Sequence, residues 1–437
     1  REWAWLTMPA LIVVFAVGSY GFGAAIRGTE SIVNEVAIVR GAPDTTEGLA
    51  QVYVGVFSPT RSTYQLSFPG GALLSAPISI DQFGGTDTGS ALDIVQGDPS
   101  RVRDLDVGFG SLRAVRAETS VAVPRVTADL RLERDRLIGT IRNLSDQRLE
   151  RAAVVLGQTA TVLGDLAPGA DGRVSVQLTG GQFGQALSDQ MLGQIFFGDQ
   201  GVPSNDSQRL IVRHSVIDQL SWDPNFGMTG QLPADGPVLL AWSSEPLVDV
   251  EIDGVRAERL GTVLYYVPLS LATRGPVVFR PDLVKASVIE VDSPFFNKDP
   301  FNFNFGQGMA TISYRPVAFS GGLAASRLIL AMNMGGLAMP DGVRATDVKP
   351  VGIASGLPPT KDDLASQQDG LPVVELFDLE AADWVRLPHL SAGLAYSVAE
   401  PARYVEPASG TVLVRFRSDR QEGVGFQFAV QIEGTIE

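Results

Sequence analysis

The chain has 437 residues, a net charge of −15 and no cysteine. Its acidity argues against nucleic-acid binding, which needs a clustered basic surface, and the lack of cysteine excludes disulfides, thiolate metal sites and cysteine nucleophiles. Gly 47 and Pro 27 with only 19% charged residues are typical of many short strands and turns, so we expect a mainly β protein. At about 100–200 residues per domain, the length predicts roughly two to four domains.

The N-terminal domain, residues 1–28, contains an uncharged and largely apolar segment from Trp3 to Ile26. A helix that crosses a hydrocarbon core of about 30 Å needs roughly 20 such residues, so this segment predicts a single transmembrane helix in contact with lipid. Trp3 and Tyr20 suit the headgroup level. A buried core helix is rarely apolar on all sides, and the apolar region of a signal peptide is shorter, about 7–15 residues.

The next domain, residues 29–123, alternates apolar and polar positions in several runs, among them VNEVAIVRG, AQVYVGVFS, TYQLSF and RAVRAETSVAV. This period of two places one face of a strand on a core and the other in water. We therefore expect a β-domain here.

Residues 124–180 read as short strands separated by turns. One turn lies at Asn143-Leu144-Ser145-Asp146 and another at residues 167–172, with the sequence APGADG. The pattern resembles the immunoglobulin-like or fibronectin-like modules of bacterial envelope proteins. This resemblance implies a β-sandwich module and no particular chemistry, because such modules host many functions.

The hydrophobic period changes to that of a helix between residues 181 and 222. The runs QALSDQMLGQIFF and SQRLIVRHSVIDQL predict a short helical segment that links or covers the β-domains. His214 lies in the second run, and a single helical histidine is more often a packing residue than a ligand. Residues 223–290 return to strands that could complete the first β-domain.

The C-terminal domain, residues 291–437, resembles a galactose-binding-like jelly roll. The resemblance depends on Trp384-Val385-Arg386-Leu387, on the strand of sequence SGTVLVR that begins at Ser409, and on a last strand ending near a glycine. It implies an architecture, and sugar binding does not follow from it. The predicted fold class is thus mainly β, with a transmembrane helix, tandem β-sandwich domains and a short helical linker.

Aromatic residues in this last domain are the candidates for partner contact. Five phenylalanines lie within residues 295–305, and the alternating ones are expected to share one buried strand face. On an exposed loop, Phe295 and Phe296 would instead form a contact patch. Trp384 and His389 complete the set of contact candidates.

No catalytic group can be assembled from the sequence. The G-x-S-x-G, H-E-x-x-H and P-loop motifs are absent, so we expect no enzymatic activity and no cofactor. A structural Ca²⁺ is an alternative that turn-capping carboxylates explain more simply. The acidic residues concerned are Asp81, Asp87, Asp93, Asp104, Asp106, Asp292 and Asp299.

As a whole, the chain resembles the C-terminal part of uncharacterised bacterial envelope proteins in which a membrane helix precedes a large extracytoplasmic region. The resemblance implies a bacterial cytoplasmic membrane protein with most of the chain on the extracytoplasmic side. The leading hypothesis is a non-enzymatic accessory or structural subunit that binds membrane-protein partners. A glycan-binding or adhesion protein and a cryptic glycan hydrolase remain as alternatives.

Overall fold

A computed structural model describes most of the chain from Ile32 to Glu437. The described residues are 32–42, 45–77, 79–80, 86–87, 91–178, 186–194, 205–223, 227–228, 232, 234–256, 259–294, 296–298, 303–317, 319, 321–334, 348–351 and 370–437. They divide into two compact units. Unit 1 holds the described parts of 32–41, 45–123 and 242–265, and unit 2 holds those of 124–241 and 266–437.

Strands dominate the first half of the described chain, as the alternating pattern predicts, and two helices interrupt them. In chain order the elements are β1 Ile32–Arg40, β2 Glu47–Ser58, β3 Ser62–Phe68, β4 Leu73–Ser75, β5 Ser79–Ile80, β6 Thr86–Asp87, β7 Asp93–Val95, β8 Ser100–Val107, β9 Ser111–Ala122, β10 Val126–Arg134, β11 Arg136–Asn143, β12 Leu149–Leu156, β13 Thr159–Leu166, β14 Asp171–Gln177, α1 Leu187–Leu192, α2 Asn205–Leu220, β15 Trp222–Asp223, β16 Gly227–Met228 and β17 Val238–Ser243.

The second half is built from strands and two 3₁₀ turns, Pro281–Leu283 and Pro401–Arg403. Its strands are β18 Glu251–Ile252, β19 Val255–Arg256, β20 Arg259–Pro268, β21 Ala272–Phe279, β22 Val284–Asp292, β23 Phe296–Lys298, β24 Phe303–Phe305, β25 Gly308–Pro316, β26 Leu323–Met334, β27 Val348–Val351, β28 Val373–Asp378, β29 Asp383–Arg386, β30 Leu394–Val398, β31 Val412–Ser418 and β32 Val424–Ile436.

Unit 1 is β-sandwich-like, with two five-stranded layers and the short β5–β6 pair among its described residues. The first has the strand order β20-β1-β2-β9-β4, and the second has the order β19-β18-β3-β8-β7. Alternate residues of β2, namely Val52, Val54 and Val56, are fully buried, which is the outcome expected of a strand with one face on a core. Val102 and Leu105 of β8 supply buried side chains from the second sheet.

Residues 242–265 belong to unit 1, although the preceding residues 124–241 belong to unit 2. β18 pairs with β3, where Ile252 lies opposite Leu66, and Asp253 accepts a hydrogen bond from the backbone N–H of Gln65 at 2.9 Å. The backbone of Asp253 has a φ of +51°, a left-handed conformation that aspartate tolerates better than most residues. Linear and spatial order therefore differ in this unit.

Unit 2 contains two large sheets. The smaller one is antiparallel with the order β22-β25-β31-β28-β29, and the larger one follows β14-β11-β10-β21-β32-β26-β30-β27, with β23 and β24 added beside β32. Aromatic rings join the two sheets: Phe416 of β31 lies 5.3 Å from Phe426 and 5.0 Å from Phe428 of β32, measured between ring centroids. Offset and edge-to-face contacts at such distances stabilise a core beyond the area they bury.

The two helices of unit 2 lie beside the β12–β13 hairpin. Gln190 of α1 accepts a hydrogen bond from the N–H of Ala160 and donates one to the carbonyl of Gln158, both at 3.0 Å. Ser188 of α1 donates to Asp218 of α2 at 2.6 Å. No helix within the described residues is both long and apolar enough to cross a membrane, and the predicted span, Trp3 to Ile26, lies outside those residues.

Candidate functional site

The five-stranded sheet of unit 2 has one apolar face and one polar, aromatic face. On β31 the side chains of Val412, Val414 and Phe416 are buried toward the core. The residues between them, including Arg415 and Arg417, belong to the opposite face because strand side chains alternate. We call that opposite face the outer face.

A row of cross-strand partners crosses the outer face through all five strands. Glu290 pairs with Thr311, Thr311 with Arg415, Arg415 with Glu375, and Glu375 with Arg386. We call these five residues the charged row. Opposite charges at directly paired positions stabilise a sheet and fix its register.

Trp384 lies beside the charged row and stacks with one of its members. The central guanidinium carbon of Arg415 is 3.8 Å from the centroid of the Trp384 ring, which is a cation–π contact. The ring of Phe377 meets Trp384 edge-on, with centroids 5.3 Å apart. Trp384 is half-buried, and these two contacts hold its ring in place.

Glu375 is the anionic centre of the outer face. Its side chain is 3% exposed, and its Oε2 lies 2.9 Å from Nε of Arg417 and 3.9 Å from Nη1 of Arg415. Burial and the neighbouring Arg417 charge lower the pKa of the Arg415 guanidinium, and Glu375 opposes that shift. Two cations thus share one buried carboxylate, and Glu290 and Asp383 are further negative charges that act on Arg415.

The four predicted contact residues do not share one environment. Phe295 lies outside the described residues. Phe296 is half-buried at the start of β23, not on a loop, and its ring lies 6.2 Å from that of the buried Phe303. His389 is exposed, and it follows the strand that carries Trp384. Trp384 contacts both Phe377 and Arg415.

Sequence reasoning missed three charged residues of the outer face: Arg415, which stacks on Trp384, and Arg417 and Glu375. Arg415 and Arg417 were hidden in the alternation of the strand LVRFRS, which predicts only that they share a face. Glu375 carried a usable signal, because a carboxylate in the otherwise apolar run VVELF is costly to bury without a paired cation.

Within the described part of the chain, no group of three or more histidine, aspartate or glutamate side chains could hold a metal ion. Asp106 pairs instead with Arg61 at 3.1 Å, while Asp81 and Asp299 lie outside the described residues. His214 is 7% exposed, and its Nδ1 lies 3.9 Å from Oδ1 of Asp189. That arrangement suits helix packing.

Comparison with protein families gives one partial match. A family described as a domain of unknown function (DUF8725) matches residues 125–272. The match ends before the strands that carry Trp384 and Arg415. Among curated proteins, none matches the sequence.

Comparison with solved structures gives distant likenesses. The chain is similar to the yeast delta-COP-I mu-homology domain complexed with a Dsl1 WxWxV peptide, at 7% identity and a TM-score of 0.27, covering 56% of this chain and 97% of that chain. The yeast delta-COP-I mu-homology domain alone has the same identity and coverages and a TM-score of 0.25. Superpositions this loose carry no conclusion about fold or function.

Proposed function

We propose that this protein is a non-enzymatic accessory or structural subunit of an envelope membrane complex, anchored in a bacterial cytoplasmic membrane with its β units on the extracytoplasmic side. In this proposal the units are of immunoglobulin-like and jelly-roll type, and the apolar segment from Trp3 to Ile26 is the anchor. Confinement to the membrane surface raises the effective concentration of the β units toward neighbouring membrane proteins. The protein acts by binding those neighbours.

The observation that carries the proposal is the stack of Arg415 on Trp384. Tryptophan and arginine are the residue types most enriched at the energetic centres of protein interfaces. Here both are held in place by neighbours, Phe377 at the ring edge and Glu375 beside the guanidinium. Since their side chains are already ordered, a partner that binds them loses less conformational entropy.

The composition of the outer face also indicates the kind of partner. Arg386 and Arg417 flank the buried Glu375, and Arg415 carries a cation across the Trp384 ring. An apolar side chain with an adjacent carboxylate is the complement of such a surface, because a carboxylate accepts paired hydrogen bonds from guanidinium groups. We therefore expect a protein segment with those two features to bind there.

Glycan binding is the second candidate, and one observation weighs against it at this site. Sugars stack on an open aromatic face, whereas one face of Trp384 carries the Arg415 guanidinium at 3.8 Å. A glycan hydrolase would need paired carboxylates in a cleft, and the buried Glu375 is engaged with two arginines. The protein–protein proposal accounts for both arrangements.

The proposal is tested by purifying the full-length protein from its native membranes in a mild detergent, followed by size analysis and identification of co-purifying proteins. The wild type is compared with Trp384→Ala and with Val162→Ala. Val162 is a matched control, because it is an apolar residue of unit 2 that is 50% exposed and lies on β13, far along the chain from the outer face.

A discrete, stoichiometric partner that is lost with Trp384→Ala and kept with Val162→Ala would support the proposal. A wild-type protein that purifies alone would overturn the accessory-subunit role, and saturable binding in a glycan screen would then favour the second candidate. If both variants keep the partner equally well, the outer face is not the binding surface, and the proposed role as an accessory subunit still holds.

A further inference from the structure

Unit 1 exposes an apolar surface at one end of its first sheet. Ile32, Phe57 and Leu112 are paired across three adjacent strands, Ile32 with Phe57 and Phe57 with Leu112. Ile32 is 45% exposed, Leu112 is 57% exposed, and Phe109, in the turn before β9, is 67% exposed. We call these four residues the apolar edge.

The apolar edge lies where three strands meet at a common end. The row of Ile32, Phe57 and Leu112 contains the first residue of β1 and lies one residue from the end of β2 and from the start of β9. The two neighbouring turns are joined there, because the N–H of Gly110 donates to the carbonyl of Ser58 at 3.0 Å. The folded sheet therefore places these residues at one end, where Ile32, Phe109 and Leu112 are exposed and Phe57 is half-buried.

The chain that precedes this edge restricts what can cover it. Only residues 27–31 connect Ile26, the last residue of the apolar segment, to Ile32 of the edge. Fully extended, this connection spans at most about 20 Å. If the segment from Trp3 to Ile26 lies in a bilayer, the end of the sheet that holds Ile32 is held within that distance of the end of the segment.

The side chains of the apolar edge suit a lipid surface. Arg61, in the turn after β2, has a side chain that is 77% exposed, and an ion pair with Asp106 at 3.1 Å balances its charge. Bulky apolar side chains are stabilised at the boundary between headgroups and acyl chains. On the water-exposed surface of a soluble domain, clustering these side chains at one end of a sheet brings no such stabilisation.

We infer that the apolar edge of unit 1 inserts into the headgroup region of the bilayer that holds the anchor. This inference rests on the proposed membrane anchor and adds a second contact with the membrane, made by Ile32, Phe57, Phe109 and Leu112. The contact fixes the end of unit 1 against the lipid, so the unit does not pivot freely on residues 27–31.

The absence of native cysteine allows a direct test, because a single introduced cysteine can be labelled specifically. The full-length variants Leu112→Cys and Leu73→Cys are labelled with a polarity-sensitive fluorophore and reconstituted into vesicles of three parts phosphatidylcholine and one part phosphatidylglycerol. Leu73 is the matched control: it has the same exposed fraction, 57%, on the same sheet face. It pairs with Glu118, about 20 Å from Leu112 along β9 at the usual rise per residue.

The expected result is a blue-shifted emission for the Leu112 probe, with strong quenching by lipid-attached nitroxides, and an unshifted, weakly quenched emission for the Leu73 probe. Phe109→Cys gives a second probe of the edge if the label at position 112 disturbs the strand. Vesicle flotation is measured on the same samples. If the protein floats with the vesicles but both probes are equally exposed to water, the contact of the apolar edge with lipid is overturned, whereas the proposed anchor is not. A protein that fails to float would overturn the anchor, and with it this inference.

Discussion

Arg415 and Trp384 stack although their strands are not neighbours. Arg415 is on β31 and Trp384 on β29, and β28 lies between them in the sheet, yet the guanidinium carbon is 3.8 Å from the ring centroid. The arginine side chain thus reaches across β28, where Glu375 pairs with Arg415 on one side and with Arg386 on the other. The intervening carboxylate holds the arginine on its path to the ring.

The stack depends on the planar shape of the guanidinium. Arg415→Lys keeps the charge but loses the planar stack on Trp384, so we expect a loss of about 1 kcal/mol in the free energy of unfolding. Urea unfolding monitored by tryptophan fluorescence measures it. The control is Arg142→Lys, since the Arg142 side chain is 57% exposed and lies 3.7 Å from Asp171. Identical losses for the two variants would show that the stack adds nothing to stability.

Glu375 is a buried carboxylate shared by Arg415 and Arg417, so its charge is expected to matter more for stability than that of a surface carboxylate. Glu375→Gln leaves Arg415 and Arg417 facing a neutral amide, and we expect it to cost about 2 kcal/mol, below the full value for a buried pair because both arginines are partly solvated. Glu380→Gln is the control, with a side chain 80% exposed. Calorimetric melting compares them, and a Glu375→Gln midpoint as high as that of Glu380→Gln would contradict the expectation.

The buried carboxyl of Asp282 is expected to make the stability of the protein depend on pH. Burial raises the pKa of this carboxyl to about 6, against hydrogen bonds that include one from Thr159 and against the nearby Arg280 charge. The folded state therefore keeps the proton up to about pH 6, whereas the unfolded carboxyl releases it near pH 4. Asp282 contributes stability that is fully present below about pH 4 and is lost as the pH rises through about 6.

Asp282→Asn removes this titration. Relative to the wild type, the free energy of unfolding of the variant should rise by about 2–3 kcal/mol between pH 4 and pH 7. Urea titrations at the two pH values measure the difference. A difference between variant and wild type that does not change with pH would mean that the folded carboxyl titrates normally.

Gly139 is expected to be irreplaceable on steric grounds. Its φ is +149°, and a Cβ added there would lie 1.9 Å from the carbonyl oxygen of Asp129 on the paired strand. Gly139→Ala should cost more than about 2 kcal/mol, because the β10–β11 pairing must open to admit the methyl group. Gly164→Ala is the comparison, since its φ of +81° is strained for alanine but nothing lies within 4 Å of the added atom. Chemical denaturation of both variants separates the clash from backbone strain alone.

Local sequence patterns predict the strands of the outer face better than they predict which residues pair across those strands. The alternation in LVRFRS places Arg415 and Arg417 on one face, and this follows from the period of a strand. The pairing of Thr311, Glu375 and Arg415 joins residues far apart along the chain, and no local period specifies which strands become neighbours. Residues 242–265 pair with β3 and β1 in the same long-range way, and they lie within the range 223–290 whose strands could complete the first β-domain.

The central claim, that the outer face of the five-stranded sheet binds a protein partner, is tested most directly by site-specific crosslinking in intact membranes. Glu290 is exposed within the charged row, and the chain has no native cysteine, so Glu290→Cys places one crosslinker there and Val162→Cys places one elsewhere on unit 2. We predict a single discrete adduct from position 290, containing the protein that co-purifies with the wild type, and none from position 162. Adducts of equal yield from both positions, or none from position 290, would contradict it.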